Sequence, residues 1–207
     1  MKKIAVLVSG GGTNLQAILD AFDSGIIKNG KVDVVVSSKE GAYALERAKN
    51  HGVEGIVIPK KNYPDRVEYT QALIDELVKR EIDLVVLAGF MIILDESFTR
   101  VFENRVMNVH PALIPSFCGE GFYGLHVHEA ALAKGVKLSG ATVHFVNEVC
   151  DGGPIIAQKS VPVMEGDTPE ILQRRIMEEC EWKLLPEAIE LFCADRLTVD
   201  GNIVHVK

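Results

Sequence analysis

Ile4-Ala-Val-Leu-Val8 contains no polar residue and no alternation. A strand with one face in water alternates apolar and polar side chains. A wholly apolar run instead specifies a strand covered on both faces, as in a parallel sheet between two helical layers. Leu84-Val-Val-Leu-Ala88 repeats the pattern, and Val32–Val36 departs from it only at Asp33. The intervening segments carry helical periods. Leu15, Ile18, Leu19 and Phe22 form one apolar row; Leu73, Ile74, Leu77 and Val78 are expected to face inward on another. Ala44–Asn50 reads as a helix ended by Gly52, and Gly55–Ile58 as a short strand closed by Pro59, before a polar loop over Lys60–Arg66.

Arg105–Val109 predicts the next strand, and His128–Lys134 a short helix. Ser139–Val146 and Ile155–Val163 predict two more strands around a turn at Gly152-Gly153. Thr168, with Pro169 behind it, opens a long helix with an apolar row at Leu172, Ile176, Cys180, Leu184, Ala188 and Phe192. Pro186 is expected to kink or divide that helix. Arg196–Val199 and Ile203–Val206, joined through Asp200-Gly201-Asn202, predict a terminal hairpin. The pattern is α/β: an open, mostly parallel twisted sheet with helices on both faces and antiparallel additions near the C-terminal part. A single domain over residues 1–207 is expected, with one half over 1–110 and a second over 111–207 that carries a closing helix and hairpin.

A formal charge of −7 argues against nucleic acid or an anionic membrane as a partner. The four cysteines, Cys118, Cys150, Cys180 and Cys193, form no Cys-x-x-Cys pair and suit a reduced, cytoplasmic protein with mostly buried thiols. No apolar stretch approaches the ~20 residues of a membrane helix, and the N-terminal run is too short for a signal segment.

Ser9-Gly-Gly-Gly-Thr-Asn14 follows the first strand and opens the first helix. Glycines let backbone N–H groups approach an anion, and the helix N-terminus adds partial positive charge. The run is neither G-x-G-x-x-G nor a Walker A sequence, so a phosphate monoester fits it better than a dinucleotide or a nucleoside triphosphate. At the end of a later strand, Asn108 and His110 project from one side, and Pro111 stops the strand. Alone, such residues are as readily an ordinary hydrogen-bonded strand end. In company with the phosphate turn, the apolar Gly89–Leu94 segment and Asp151 on a Gly-Gly loop, they form a coherent set. A carboxylate beside an imidazole raises its pKa and fixes its tautomer, and an amide can donate to a developing oxyanion. Those parts suit acyl transfer to a phosphorylated amine from an apolar-bound donor.

Val8-Ser-Gly-Gly-Gly-Thr-Asn-Leu15, Leu87-Ala-Gly-Phe-Met91, Asn108-Val-His-Pro-Ala-Leu-Ile-Pro115, Thr142-Val-His-Phe-Val146 and Asp151-Gly-Gly-Pro154 together closely resemble the phosphoribosylglycinamide formyltransferases, a folate-dependent family of purine synthesis. The resemblance spans essentially the whole chain, and the Ser-Gly-Gly-Gly-Thr-Asn turn is its most specific part. It implies Asn108, His110 and Asp151 as the catalytic trio: His110 shuttles the proton, Asn108 holds the formyl oxygen, and Asp151 raises the pKa of His110. It assigns Gly12, Thr13 and Asn14 to the substrate phosphate and Glu181 to the ribose hydroxyls. Met91, Ile92, Ile93 and Leu94, with the Val143–Asp151 region and Asn108, match the folate pocket, and Arg66 a basic residue on the folate side. It implies 10-formyltetrahydrofolate as co-substrate, glycinamide ribonucleotide as the other substrate, no metal, and a monomer or homodimer.

There are departures. Ile92 stands where the family often has a basic residue. Ser116–Leu125 is longer than the usual loop and carries Phe122-Tyr123 among glycines. His126 and His128 form a His-x-His pair without further ligands at metal spacing, so helix-start histidines are expected there. His144 is expected to be structural or pocket-lining, and His51 and His205 to lie at the surface.

Several alternatives share parts of this pattern. A methionyl-tRNA formyltransferase would carry a further C-terminal β domain and more positive charge. A formyltetrahydrofolate hydrolase would have an N-terminal regulatory domain and no such phosphate turn. A formyltransferase acting on another amine would keep the same machinery. A phosphoribosyl-binding module would need only the turn and leave Asn108, His110 and Asp151 without a purpose.

Overall fold

The computed structural model describes residues 1–207. Strands β1 (Lys2–Val8), β2 (Gly30–Ser37), β3 (Glu54–Val57), β4 (Leu84–Leu87) and β5 (Val106–His110) are parallel, and helices connect them. α1 (Thr13–Asp23), α2 (Tyr43–Asn50), α3 (Arg66–Lys79) and α4 (Glu96–Val101) fill the crossovers. α5 (Leu125–Lys134) leads to β6 (Leu138–Phe145) and β7 (Ile155–Pro162), both antiparallel to their predecessors. α6 (Pro169–Ile176) and α7 (Trp182–Cys193) precede the hairpin β8 (Leu197–Asp200) and β9 (Ile203–Val206). The strands form one nine-stranded sheet in the order β3-β2-β1-β4-β5-β6-β7-β9-β8.

The apolar run of β1 serves both faces. Ile4, Val6 and Val8 pack beneath α1, α2, α5, α6 and α7, whereas Ala5 and Leu7 face Tyr69, Leu73 and Leu77 of α3 and Phe98 of α4. All five β1 side chains are fully buried. The Ile4–Val8 stretch was readable because none of its side chains meets water; only Lys2 and Lys3, at the start of β1, are part-exposed.

Strand order reverses beside β1: β2 lies on one side and β4 on the other. In open α/β sheets the loops at the carboxyl ends diverge there and leave a crevice. The Ser9–Gly12 turn leaves β1 at that point, and Gly89–Asp95 leaves β4. The loops are tied together: Met91 N–H donates to Ser9 Oγ at 3.0 Å, and Ser9 Oγ shares a 2.7 Å hydrogen bond with Ser38 Oγ.

Four local expectations are corrected. Val78 points outward at 53% exposed, because the buried face of α3 is Tyr69, Thr70, Leu73, Ile74 and Leu77. Phe192 is only partly buried at the rim of the larger core. The long C-terminal helix is divided by a π-helical turn at Met177–Glu181, and Pro186 lies inside α7, which continues past it. α4 was not foreseen; it is one short helix capped by Asp95, whose carboxylate accepts Ser97 N–H at 3.1 Å. Thr168 caps α6 as expected, its hydroxyl accepting Ile171 N–H at 3.3 Å. Cys180 and Cys193 are buried, whereas Cys118 is half-buried and Cys150 exposed. No helix is long and apolar enough to cross a membrane.

Candidate active site

Antiparallel pairing of β5 with β6 places Asn108 opposite His144 and His110 opposite Thr142. Two strands that each carry polar groups two residues apart thereby stack them on one face. Asn108 Nδ2 lies 3.3 Å from His144 Nε2, while His144 Nδ1 donates to Phe145 O at 2.8 Å. Nε2 faces the Asn108 amide on one side and Asp151 Oδ1, at 3.6 Å, on the other. Asn108 Nδ2 has no other protein partner, which leaves an amide hydrogen for a substrate oxygen.

His110 is 4% exposed. Its Nδ1 lies 3.4 Å from Asp151 Oδ2, and its Nε2 lies 2.8 Å from Phe117 O. Acceptors thus face both ring nitrogens, an arrangement in which the imidazolium satisfies both. Burial is the larger influence, however, and holds the His110 pKa below the usual histidine value; Asp151 and the Phe117 carbonyl recover only part of the loss. Asp151 thus acts in the expected direction, while burial sets the net shift.

Asp151 begins the Gly152-Gly153 turn with a left-handed φ of 54°. Burial pushes its carboxyl up, but hydrogen bonds from His144 and from Gly119 N–H, together with the His110 charge, outweigh this and hold it below the ordinary aspartate value. The contacts are Gly119 N–H to Oδ2 at 2.9 Å and His144 Nε2 to Oδ1 at 3.6 Å. Gly153 is required here: a Cβ would lie 1.9 Å from Phe145 O.

The structure therefore brings Asn108, His110 and Asp151 together. It adds Thr142, Phe117 and Gly119, whose contributions the sequence reading missed, and sets His144, expected to be structural or pocket-lining, beside Asn108 and Asp151. Thr142 Oγ1 accepts Ile114 N–H at 3.1 Å and donates to Ala112 O at 2.7 Å, pinning the chain just after His110. The Thr142-x-His144 spacing, matching Asn108-x-His110, was the available signal. His128 is fully buried with neither ring nitrogen hydrogen-bonded; burial and the nearby His110 push its pKa down to about 4. His126 is exposed beside Glu129, at 3.0 Å. His205 is exposed, and His51 is half-buried with its Nδ1 on Arg47 O.

Across the crevice, Gly12 caps α1 in a left-handed conformation with φ 72°. Gly10, Gly11 and Gly12 donate no backbone hydrogen bond. Thr13 is exposed at the first turn of α1. Asn14 Nδ2 donates to Glu181 Oε2 at 2.9 Å, across the two halves of the chain. Glu181 sits at the end of the π-helical turn, 6% exposed, and burial pushes its carboxyl up to about 7. Asn14 Oδ1 is buried without a partner.

The Gly89–Leu94 segment divides by alternation. Phe90, Ile92 and Leu94 pack on the smaller core, whereas Met91 and Ile93 are 56% and 60% exposed. Arg66, at the start of α3, lies 3.8 Å from Asp95 at the end of this segment. Anion donors, an apolar loop and an amide–imidazole–carboxylate set thus surround one crevice at the carboxyl ends of β1, β4 and β5.

These features fall within a known pattern: residues 2–189 match the formyl transferase family, and the chain belongs to it. Among its relatives is the phosphoribosylglycinamide formyltransferase of Haemophilus influenzae, 41% identical over 206 residues, covering 100% of this chain and 94% of that one. The crystal structure of glycinamide ribonucleotide transformylase 1 from Symbiobacterium toebii superposes with a TM-score of 0.93 at 46% identity, covering 100% of this chain and 94% of that one. A formyltetrahydrofolate deformylase from Pseudomonas syringae shares the fold at a TM-score of 0.86 and 27% identity, covering 99% of this chain and 65% of that one.

Proposed function

We propose that the chain transfers the formyl group of 10-formyltetrahydrofolate to the amine of 5′-phosphoribosylglycinamide, a step of purine synthesis. One observation carries the reading: the Gly10–Gly12 turn, whose N–H groups donate no backbone hydrogen bond, follows the carboxyl end of β1, and Asn108 and His110 lie at the carboxyl end of β5 in the same sheet. Full-length similarity to formyltransferases named for this substrate supports it. A hydrolase would need the trio but no anion turn.

In this reading the N–H groups of Gly12, Thr13 and Asn14 hold the phosphate and Glu181 the ribose hydroxyls. The folate lies along Met91, Ile92, Ile93 and Leu94, with Arg66 on its acidic side. Residues 1–110 supply the phosphate turn and 111–207 most of the wall facing it. The amine attacks the formyl carbon while the free Asn108 N–H and the His110 imidazolium stabilise the developing oxyanion. Neutral His110 takes the amine proton as the amine attacks, and the imidazolium so formed hands it to the departing folate nitrogen; the C–N bond to the folate breaks as the new amide forms. Asp151 orients the imidazole and stabilises its charged form.

The test is loss of absorbance of a 10-formylfolate donor with and without glycinamide ribonucleotide. Donor consumption only when the ribonucleotide is present supports the transferase. Equal consumption in its absence would establish a hydrolase and overturn the reading.

A further inference from the structure

Two successive carbonyls of the Gly10–Gly12 turn are pinned on α2. Gly10 O accepts Ala44 N–H at 3.2 Å, and Gly11 O accepts Arg47 Nε–H at 2.8 Å. Across a trans peptide, the C=O and the N–H that follows it point in opposite directions. Fixing both carbonyls on α2 therefore turns the Gly11 and Gly12 N–H groups to the opposite side, where no backbone acceptor meets them. Successive N–H groups held in this way form a concavity suited to an anion.

Arg47 is built into this arrangement. Its Nη1 donates to Gln16 Oε1 at 2.9 Å, one turn into α1, and its guanidinium lies 4.9 Å from the Tyr43 ring centroid. A Cβ on Gly12 would meet Ala44 Cβ at 2.7 Å and Arg47 Cδ at 3.5 Å, so the turn lies directly against α2. Both hydrogen-bond partners of the Arg47 side chain are neutral. Its charge thus remains uncompensated beside the turn, in a chain of net charge −7.

We propose that Arg47 is a positioning residue for the substrate's phosphate. It holds the turn with its N–H groups presented and places a positive charge behind them. The inference rests on the phosphoribosyl-amine reading, but its own observable is anion affinity.

Two variants test it. Arg47→Met keeps the apolar stem over Gly12 and removes the charge and the fork. Arg47→Lys keeps the charge but cannot span Gly11 O and Gln16 together. For Arg47→Met, KM for glycinamide ribonucleotide should rise roughly 10–100-fold, the range expected for loss of a charge-assisted contact, while kcat changes by less than about 3-fold. Arg47→Lys should recover part of the loss, and carries the test alone if the methionine variant does not fold. With the riboside lacking the phosphate, wild type and variant should differ by less than about 3-fold in kcat/KM. An equal loss on both substrates, or no change in KM, would overturn the proposal. Protection by inorganic phosphate in thermal unfolding separates the two readings. If wild type ignores the ribonucleotide but its phosphate protection is lost in the variant, the substrate assignment fails and the role of Arg47 stands.

Discussion

Replacing Glu181 with glutamine should remove a pH-dependent part of the protein's stability. The carboxyl is 6% exposed, and its one protein partner is Asn14 Nδ2 at 2.9 Å. Burial raises its pKa from 4.5 to about 7. The native state therefore binds this proton more tightly than the unfolded state does. The resulting stabilisation is complete below about pH 4.5, declines as pH rises through about 7, and is absent above that. At about 1.4 kcal/mol per pH unit, the difference between 4.5 and about 7 amounts to about 3 kcal/mol. Glutamine has nearly the same shape, can still accept from Asn14, and does not titrate. Urea unfolding of both proteins at pH 5, 6, 7 and 8 and constant ionic strength isolates this group, because all other titrations cancel in the difference. The wild type should lose about 2–3 kcal/mol relative to Glu181→Gln across that range. Parallel curves, separated by a constant amount, would show that the carboxyl is not raised and would refute the argument.

Three further outcomes are expected. His110→Ala should lower turnover by about 10²–10⁴-fold while a fluorescence titration shows folate binding largely retained; near-normal turnover would remove His110 from the chemistry. Asp151→Asn withdraws the one carboxylate that raises the His110 pKa, so the acidic limb of the pH–rate profile should move to lower pH, and an unmoved limb would separate the two residues. Thr168→Ala deletes the cap on α6 and should cost about 1 kcal/mol in chemical denaturation with kcat unaltered.

The central strands were legible because burial on both faces leaves an unbroken apolar signature, as in Ile4–Val8. The phosphate turn was legible because its chemistry is local, with glycines and a helix start contiguous in sequence. Asp151 was singled out by its Gly-Gly loop and given its role by resemblance, whereas its 3.4 Å approach to His110 is a tertiary contact between β5 and the loop that follows β6. Nor could the spacing reveal that burial outweighs Asp151 in setting the His110 pKa, since that balance is a property of the packed environment. Pro186 misled because proline in a helix is costly only where it disrupts the preceding turn. Here the helix is already irregular at Met177–Glu181, just before α7 begins. Val78 misled because five residues already cover the inner face of α3.

The segment from Phe117 to Gly119 meets the site through main-chain atoms alone: one carbonyl toward His110 and one amide toward Asp151. Such atoms are common to every residue except for the missing amide hydrogen of proline. The path of this loop is therefore more constrained than its spelling, with the exception of Gly119, whose φ of 90° favours glycine. Substitutions at exposed neighbours such as Glu120 and Tyr123 can accumulate with little effect on the chemistry so long as the ribbon keeps its course, whereas the Phe117 side chain also packs against the larger core. β5 and β6 have no comparable freedom: inserting one residue between Asn108 and His110, or between Thr142 and His144, would turn one member of each pair to the opposite face of the sheet. Drift in this protein should therefore collect in the exposed part of the loop and spare the strands, even though both contribute to the same site.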